Sequence, residues 1–265
     1  MNVETARWLT SDEASETLGL AAAEPDPSSL AAAERMRELT SPERAAAALS
    51  QAGLRARAVA KFGEAAAEMF FTRDGLEQAT RPAVSRRRAQ RFRILGADSV
   101  LDIGCGIGAD SLAFRDAGLA VSAVEIDPVT AVFAGANTGS EVVVGDAEAL
   151  FDWTNERAVF CDPARRTARG RTWRVSDFSP SWGFVTRLLD ASRVACVKLG
   201  PGLPTSLIPG GVEAEWVSDT GQLVECALWA APDGLVPGRR RAVVDGHEMS
   251  HDGVSKAPEV GDLEA

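Results

Sequence analysis

Short apolar runs alternate with helix-forming stretches along the chain from residue 99 onward. The runs are rich in Val, Ala, Ile and Cys, and polar or glycine-containing segments separate them. This rhythm is typical of a doubly wound α/β fold, in which buried parallel strands alternate with helices. The pattern predicts parallel strands at 99–103, 120–124, 141–144, 158–161 and 194–199.

Two further apolar runs, at 213–217 and 223–230, flank a polar turn that contains Gly221. This arrangement predicts an antiparallel hairpin that closes the sheet. Five parallel strands and a hairpin differ from the all-parallel dinucleotide fold. Beyond these runs the chain is polar with little periodicity, so we expect residues 233–265 to form a polar tail with a tendency to disorder.

Residues 1–95 contain no run that resembles a strand and are rich in Ala, Glu, Arg and Leu, a composition that favours helices. Ser41 stands before Pro42 and Glu43, which is the order of a helix cap, a first-turn proline and an acid at the positive end of the helix dipole. We expect a helical N-terminal domain of four or five helices over 1–95, with the last helix at 82–95. An α/β domain over 96–232 follows it.

Composition narrows the classes of protein that fit. With 265 residues, of which 45% are hydrophobic, the chain can bury a substantial core. Its apolar runs are too short to cross a bilayer, and its first ten residues lack the features of a signal peptide, so we expect a cytoplasmic protein with no membrane partner. Four widely spaced cysteines lie in or beside apolar runs and are expected to be free and buried. His247 and His251 have no cysteine near them, so no metal is expected.

The net charge of −10 argues against an unspecific nucleic-acid coat. Positive charge is nevertheless clustered in arginines at 86–93, 165–174 and 239–241. Arginine binds phosphate and carboxylate groups bidentately, so each cluster is a candidate anion-binding patch. The alternative is that these arginines lie on solvated helix and loop faces.

The first predicted strand runs into Gly104, Gly106 and Gly108. Glycine allows a sharp turn and a close approach of a ligand, and the amides at the start of the next helix attract negative charge. The spacing also fits a dinucleotide fingerprint, so the glycines alone do not choose between a nicotinamide cofactor and S-adenosylmethionine. Asp102 favours S-adenosylmethionine, because a carboxylate binds its ammonium group and would repel a pyrophosphate.

Acidic residues follow three of the strands. Glu125 ends the second strand and is placed to accept hydrogen bonds from both ribose hydroxyls. Asp146 follows the third strand and is either an adenine ligand or an ordinary turn residue. Asp162 and Pro163 follow the fourth strand, at the edge where open α/β sheets bind ligands. An extended Asp-Pro offers acceptors that orient an amine for in-line attack on a sulfonium methyl, and an Asx-Pro turn is the structural alternative.

The order of four motifs resembles the class I S-adenosylmethionine-dependent methyltransferases. The motifs are LDIGCGIG at 101–108, VEID at 124–127, GDAEAL at 145–150 and CDPARR at 161–166. With LEQATRP at 76–82 and VKLGPG at 197–202, the chain is most similar to a bacterial methyltransferase group with a THUMP-like domain.

This resemblance implies a Rossmann-like methyltransferase sheet and S-adenosyl-L-methionine as cofactor. In this class the residues that match Gly104, Gly106, Glu125 and Asp146 bind the cofactor, and those that match Asp162 and Pro163 face the acceptor. We expect Asp102, Gly108, Ile126 and Ala147 to complete the cofactor site. Arg165 joins Asp162 and Pro163 as a candidate catalytic residue that pairs with phosphate or another anion. Because no aromatic residue follows Pro163, stacking of a target base requires Trp173, Phe178 or Trp182.

We therefore expect a methyltransferase that acts on RNA, with the N-terminal helices helping to form the acceptor cleft. Segment 76–81 is a candidate lid, with polar contacts from Gln78, Thr80 and Arg81, or a plain linker. A methyltransferase for a small anionic metabolite and a non-catalytic cofactor-binding or interaction subunit are the alternatives, and a nicotinamide dehydrogenase is disfavoured by Asp102.

Overall fold

A mixed β-sheet lies at the centre of the computed structural model, which describes residues 1–150, 158–165, 175–190 and 192–251. Within these residues the sheet has nine strands in the order β11-β10-β8-β9-β7-β4-β1-β2-β3. A separate antiparallel pair, β5 and β6, lies outside it. The strands are β1 (Ser99–Ile103), β2 (Ala120–Glu125), β3 (Val142–Val144), β4 (Ala158–Cys161), β5 (Ala164–Arg165), β6 (Phe178–Ser179), β7 (Val194–Leu199), β8 (Glu213–Asp219), β9 (Gln222–Ala230), β10 (Arg240–Val244) and β11 (His247–His251).

The five parallel strands and the hairpin that the apolar runs predict are confirmed as β1, β2, β3, β4, β7, β8 and β9. Their side chains alternate between two buried faces, as the pleat requires. Leu101 and Val159 belong to the core on one face, while Val100 and Phe160 belong to the core on the other. Burial on both faces explains why these runs are almost continuously apolar. All four cysteines are free and buried, as expected.

Six α-helices occupy the fully described region 1–95, rather than four or five. α5 is a short helix whose first turn is capped by the Thr72 side chain. At Ser41 the predicted cap is confirmed, because its hydroxyl accepts from the amide of Arg44 and Pro42 begins the helix. The helices are α1 (Val3–Leu9), α2 (Ser15–Ala22), α3 (Leu30–Leu39), α4 (Pro42–Phe62), α5 (Arg73–Gln78), α6 (Pro82–Ile94), α7 (Ala109–Asp116), α8 (Pro128–Thr138) and α9 (Trp182–Leu188).

The predicted polar tail is wrong for residues 240–251, which form the last two strands of the sheet. β10 pairs parallel to β8, and β11 pairs antiparallel to β10. Val243 is buried, and Arg241 forms ion pairs with Glu213 and Glu215 of β8. The segment therefore joins the sheet through backbone pairing and charge pairing, which a search for apolar runs does not detect. Residues 252–265 lie outside the described part.

The arginines around 86–93 serve mainly as internal ion-pair partners and do not form an open basic patch. On α6, Arg88 pairs with Asp110 and Glu225, and Arg91 pairs with two carboxylates of β8. Arg241, from the cluster at 239–241, joins the same network. Buried charges are tolerated only when they are paired, so the glutamates of β8 and β9 account for these arginines. Residues 166–174 of the middle cluster lie outside the described residues.

Candidate active site

A cleft of about 620 Å³ opens at the carboxyl ends of β1, β2, β4 and β7. This is the edge at which open α/β sheets bind their ligands. One wall is formed by the segment that includes α5, so the N-terminal region contributes to the cleft. The predicted site residues on its lining are Asp102, Gly104, Gly106, Glu125, Ile126, Asp146, Ala147, Asp162 and Pro163.

The glycine loop turns sharply after β1. Gly104 and Gly106 have φ values of +72° and +57°, a backbone conformation that side-chain-bearing residues rarely adopt. The amides of Gly104 and Cys105 both donate to the carbonyl of Val124, at 2.9 and 3.1 Å. A Cβ at Gly104 would lie 3.3 Å from the carbonyl oxygen of Asp162. The loop is thus held against β2 and against the end of β4, which brings the two motifs together.

Gly108, expected to touch the cofactor, lies outside the cleft lining. It has a φ of +83° at the start of α7, and a Cβ there would approach Cγ2 of Thr138 to 2.8 Å. This glycine is therefore required by the turn and by the packing of α7 against α8.

Asp102 is fully buried at the base of the cleft. Its Oδ2 accepts a hydrogen bond of 2.5 Å from the hydroxyl of Ser111, while Oδ1 has no hydrogen-bond partner among the described residues. Burial, followed by the nearby Asp110 carboxylate, raises the pKa of Asp102 to about 8. A buried acceptor without a partner is costly, and a cation or donor placed in the cleft would satisfy it.

Glu125 is fixed by two backbone amides. Its Oε2 accepts from the amide of Gly106 at 2.9 Å, and its Oε1 accepts from the amide of Asp127 at 3.0 Å. Each carboxylate oxygen can accept a further hydrogen bond, so a ligand hydroxyl can bind to either. Asp146 accepts from the amide of Glu148 at 2.9 Å, which makes it both a turn residue and a lining residue.

Lys198 of β7 lies on the acceptor side and forms an ion pair with Oδ2 of Asp162. Burial disfavours its charge, but the neighbouring carboxylates, Asp162 foremost, outweigh this effect and raise the pKa of Lys198. The side chain therefore stays an ammonium group. Sequence analysis did not identify Lys198 as a site residue. The usable signal is its position near the end of the predicted strand at 194–199. The β4–β7 register pairs Cys161 with Val197, so Asp162 and Lys198 follow directly after paired residues.

Arg165 lies in β5, where its backbone pairs with Phe178. Its side chain lies outside the described part of the chain, as do Arg166 and Trp173. Of the three candidate stacking rings, Phe178 lines the cleft. Trp182 packs against Phe178 with ring centroids 5.4 Å apart.

Asp110 of α7 also lines the cleft, and sequence analysis did not identify this acid as a site residue. It accepts from the hydroxyl of Thr80 at 2.6 Å and pairs with Arg88. Arg88 also donates to both oxygens of Glu225 at 2.6 Å, and its guanidinium lies 4.6 Å from the ring centroid of Phe160. A buried charge network thus supports the floor of the cleft.

The candidate lid 76–81 divides between two roles. Gln78 and Thr80 line the cleft. Arg81, which we expected to do the same, instead donates to Oδ2 of Asp219 at 3.0 Å and to the hydroxyl of Thr220 at 2.8 Å. It fastens the end of the segment to the β8–β9 turn.

The lining is strongly acidic. Among the described residues Lys198 is its one lysine or arginine. The acids on the lining are Asp74, Asp102, Asp110, Glu125, Asp146 and Asp162.

The described part of the chain contains no group of three or more His, Cys, Asp or Glu residues suited to a metal ion. No helix in this part is long and apolar enough to cross a membrane.

Comparison with solved structures settles the fold. A proposed methyltransferase of Porphyromonas gingivalis W83 superposes with a TM-score of 0.69 at 20% sequence identity, over 95% of this chain and 65% of that one. The chain has a methyltransferase fold. Residues 2–58, which lie in the N-terminal helices, match the family model described as a domain of unknown function (DUF8688).

Curated relatives point in the same direction. Two proteins of Mycobacterium tuberculosis, from strains CDC 1551/Oshkosh and ATCC 25618/H37Rv, are each 35% identical to this chain over 218 residues. Both are named uncharacterized S-adenosylmethionine-dependent methyltransferases. The match covers 75% of this chain and 58% of each relative, so the chain spans little more than half the length of these proteins.

Proposed function

We propose that this chain is an S-adenosylmethionine-dependent methyltransferase. The observation that carries the proposal is the buried Oδ1 of Asp102, an acceptor at the base of the cleft that has no partner among the described residues. An ammonium group satisfies it, and S-adenosylmethionine carries one on its methionine part. The fold and the names of the curated relatives support the same cofactor.

The remaining cofactor contacts follow the order of the strands. Asp102 binds the ammonium group, Glu125 binds the ribose hydroxyls, and Asp146, with Ile126 and Ala147 beside it, borders the adenine. Gly104 and Gly106 allow the backbone to approach the ligand. When bound, the cofactor supplies an electrophilic methyl group on a sulfonium centre, and the acidic lining stabilises its positive charge.

Asp162 and Pro163 border the acceptor side. The Asp162 carboxylate, oriented by Lys198, accepts a hydrogen bond from the acceptor and directs the attacking atom toward the methyl group. Phe178 provides an apolar wall beside it. Arg165 remains a proposed anion ligand on the basis of the motif alone.

RNA as acceptor and membership of the THUMP-like group stay predictions from the resemblance. So do the division at residue 95 and the cytoplasmic location. The small anionic metabolite is the second candidate for the acceptor. The described lining carries six acids and one lysine, and the described arginines of α6 are largely paired internally, which disfavours a polyanion such as RNA. The same acids argue against a negative charge on the small acceptor. A nicotinamide dinucleotide fits less well, because its pyrophosphate would meet Asp102 and Asp110.

Transfer of a tritiated methyl group tests the proposal. The purified chain is incubated with labelled S-adenosylmethionine and the RNA, protein and metabolite fractions of a strain that lacks the gene. We expect label in one fraction with the wild type and little with Asp162→Ala. Label in RNA whose transfer weakens steeply with salt supports the nucleic-acid acceptor. Cofactor binding without transfer to any fraction supports the non-catalytic subunit.

A further inference from the structure

The segment from Met69 to Phe71, just before the α5 wall, is held by side chains of α4. Gln51 donates from Nε2 to the carbonyl of Phe71 at 2.8 Å and accepts from the amide of Phe71 at 3.0 Å. Arg55 donates to the carbonyl of Met69 at 2.9 Å, and its guanidinium lies 4.8 Å from the ring centroid of Phe70. Since Gln51 has no solvent exposure, both of its hydrogen bonds are made inside the protein.

Asn137 of α8 holds the same segment from the opposite side. The amide of Phe70 donates to Oδ1 of Asn137 at 2.7 Å, and Nδ2 donates back to the carbonyl of Phe70 at 3.0 Å. The same Nδ2 reaches the carbonyl of Ile107 in the glycine loop at 2.9 Å. The segment is therefore clamped between α4 and α8 and is tied to the glycine loop.

The wall that continues from this segment packs closely on the loop. A Cβ at Gly75 of α5 would lie 2.5 Å from Cγ2 of Ile107, so there is no room for a side chain between the wall and the loop. Lys61, at the end of α4, donates to the carbonyls of Leu76 and Glu77 at 2.8 and 3.2 Å. Both ends of the short α5 helix thus depend on α4.

We propose that the N-terminal helices, including the matched domain of unknown function, serve to clamp the cofactor-facing wall at 72–80, with Gln51 as the positioning residue. None of the described residues 2–58 lines the cleft, whereas six residues between 72 and 80 do. A buried amide is costly unless it is satisfied, and Gln51 satisfies two backbone groups that would otherwise lack partners. The helices thereby act on ligand binding without touching the ligand. This inference rests on the proposed cofactor.

Calorimetric titration of S-adenosylhomocysteine into the full chain tests the clamp. Gln51→Met keeps the approximate side-chain shape and removes both hydrogen bonds, so we expect Kd to rise about tenfold and amide hydrogen exchange to accelerate at 72–80. Met36→Ala is the matched control, because Met36 is buried in the N-terminal helices on α3 and is not a clamp residue. It should lower the free energy of unfolding and leave Kd within about twofold.

The clamp is overturned if Gln51→Met binds with the wild-type Kd and retains slow exchange at 72–80. It is also overturned if Met36→Ala weakens binding as much as Gln51→Met, because the effect is then one of global stability. Should Gln51→Met fail to fold, Arg55→Met at a partly exposed position removes the hydrogen bond to Met69 and the contact with the Phe70 ring, and it is expected to raise Kd in the same direction. An unchanged Kd contradicts the clamp. A wild type that does not bind refutes the proposed cofactor instead.

Discussion

Lys198 and Asp162 form an ion pair across the carboxyl ends of two neighbouring strands, β7 and β4. The ammonium group holds one oxygen of the carboxylate, so the other oxygen and the Asp162 carbonyl are the acceptors left for a substrate. Because Lys198 is the one lysine or arginine on the described lining, its removal changes the charge on the acceptor side specifically.

We expect Lys198→Met to lower the rate of methyl transfer about 10- to 100-fold, because one charge-assisted hydrogen bond that positions Asp162 is lost. The Kd for S-adenosylhomocysteine should change less than about threefold, since Asp102 and Glu125 are untouched. Lys198→Arg, which keeps the charge, should recover part of the rate. Single-turnover transfer and calorimetry on the same preparations separate the two effects. An equal loss of cofactor binding in Lys198→Met would contradict the assignment of Lys198 to the acceptor side.

Cofactor affinity should rise with pH between about 6 and 7.5. Burial raises the pKa of Asp102 to about 8, so the carboxyl group is largely protonated in this range. Binding of an ammonium group favours the carboxylate and releases a proton, so affinity increases with pH by at most about tenfold per unit. Asp102→Asn should abolish this slope and weaken binding about 10- to 100-fold at pH 7.5. Calorimetry across this pH range is the measurement, and an equal slope in both proteins contradicts the role of Asp102.

Much of the cofactor half of the cleft is predictable from local sequence. A strand that is buried on both faces needs an almost continuous apolar run. The apolar runs therefore predict β1, β4 and β7 with the same first and last residues as the structure. Since parallel strands end at one edge, Asp102, Glu125 and Asp162 are placed together by topology alone.

The features that sequence analysis missed depend on contacts between distant segments. Lys198 becomes a site residue only because β7 neighbours β4, and Asp110 only because Arg88 of α6 and Thr80 reach it. β10 was missed because Val243 is its one buried residue and its first two residues are arginines. Arg241 pairs with glutamates of β8, and an arginine considered alone is expected to face solvent.

Two glycines of the loop should respond differently to the same change. Gly108→Ala places a Cβ 2.8 Å from Thr138 in a strained backbone conformation, so it should cost about 1–3 kcal/mol of stability. Gly106→Ala carries similar backbone strain, because the φ of Gly106 is +57°. Its Cβ would meet no atom of the described residues within 4 Å other than its chain neighbours, and it adjoins the cleft, so this variant should in addition raise the Kd for S-adenosylhomocysteine by more than about tenfold. Urea unfolding and calorimetry on both variants give the comparison, and interchanged phenotypes would refute it.

Arg88→Met should destabilise the protein by about 3–5 kcal/mol, because it leaves Asp110 and Glu225 buried without their partner. The matched control is Arg57→Met, which removes an exposed pair with Glu77 and should cost less than about 1 kcal/mol. Urea unfolding of both variants measures the difference. Equal stabilities of the two variants would mean that the buried network does not support the floor of the cleft.

The proposed cofactor site is best tested by calorimetric titration of the purified chain with S-adenosylhomocysteine and with 5′-methylthioadenosine, which lacks the amino-acid part. We expect both ligands to bind one-to-one. Glu125→Gln should weaken both ligands, because both carry the ribose, and Asp102→Asn should weaken only S-adenosylhomocysteine, because only this ligand carries the ammonium group. If S-adenosylhomocysteine does not bind to the wild type, the proposed cofactor is wrong.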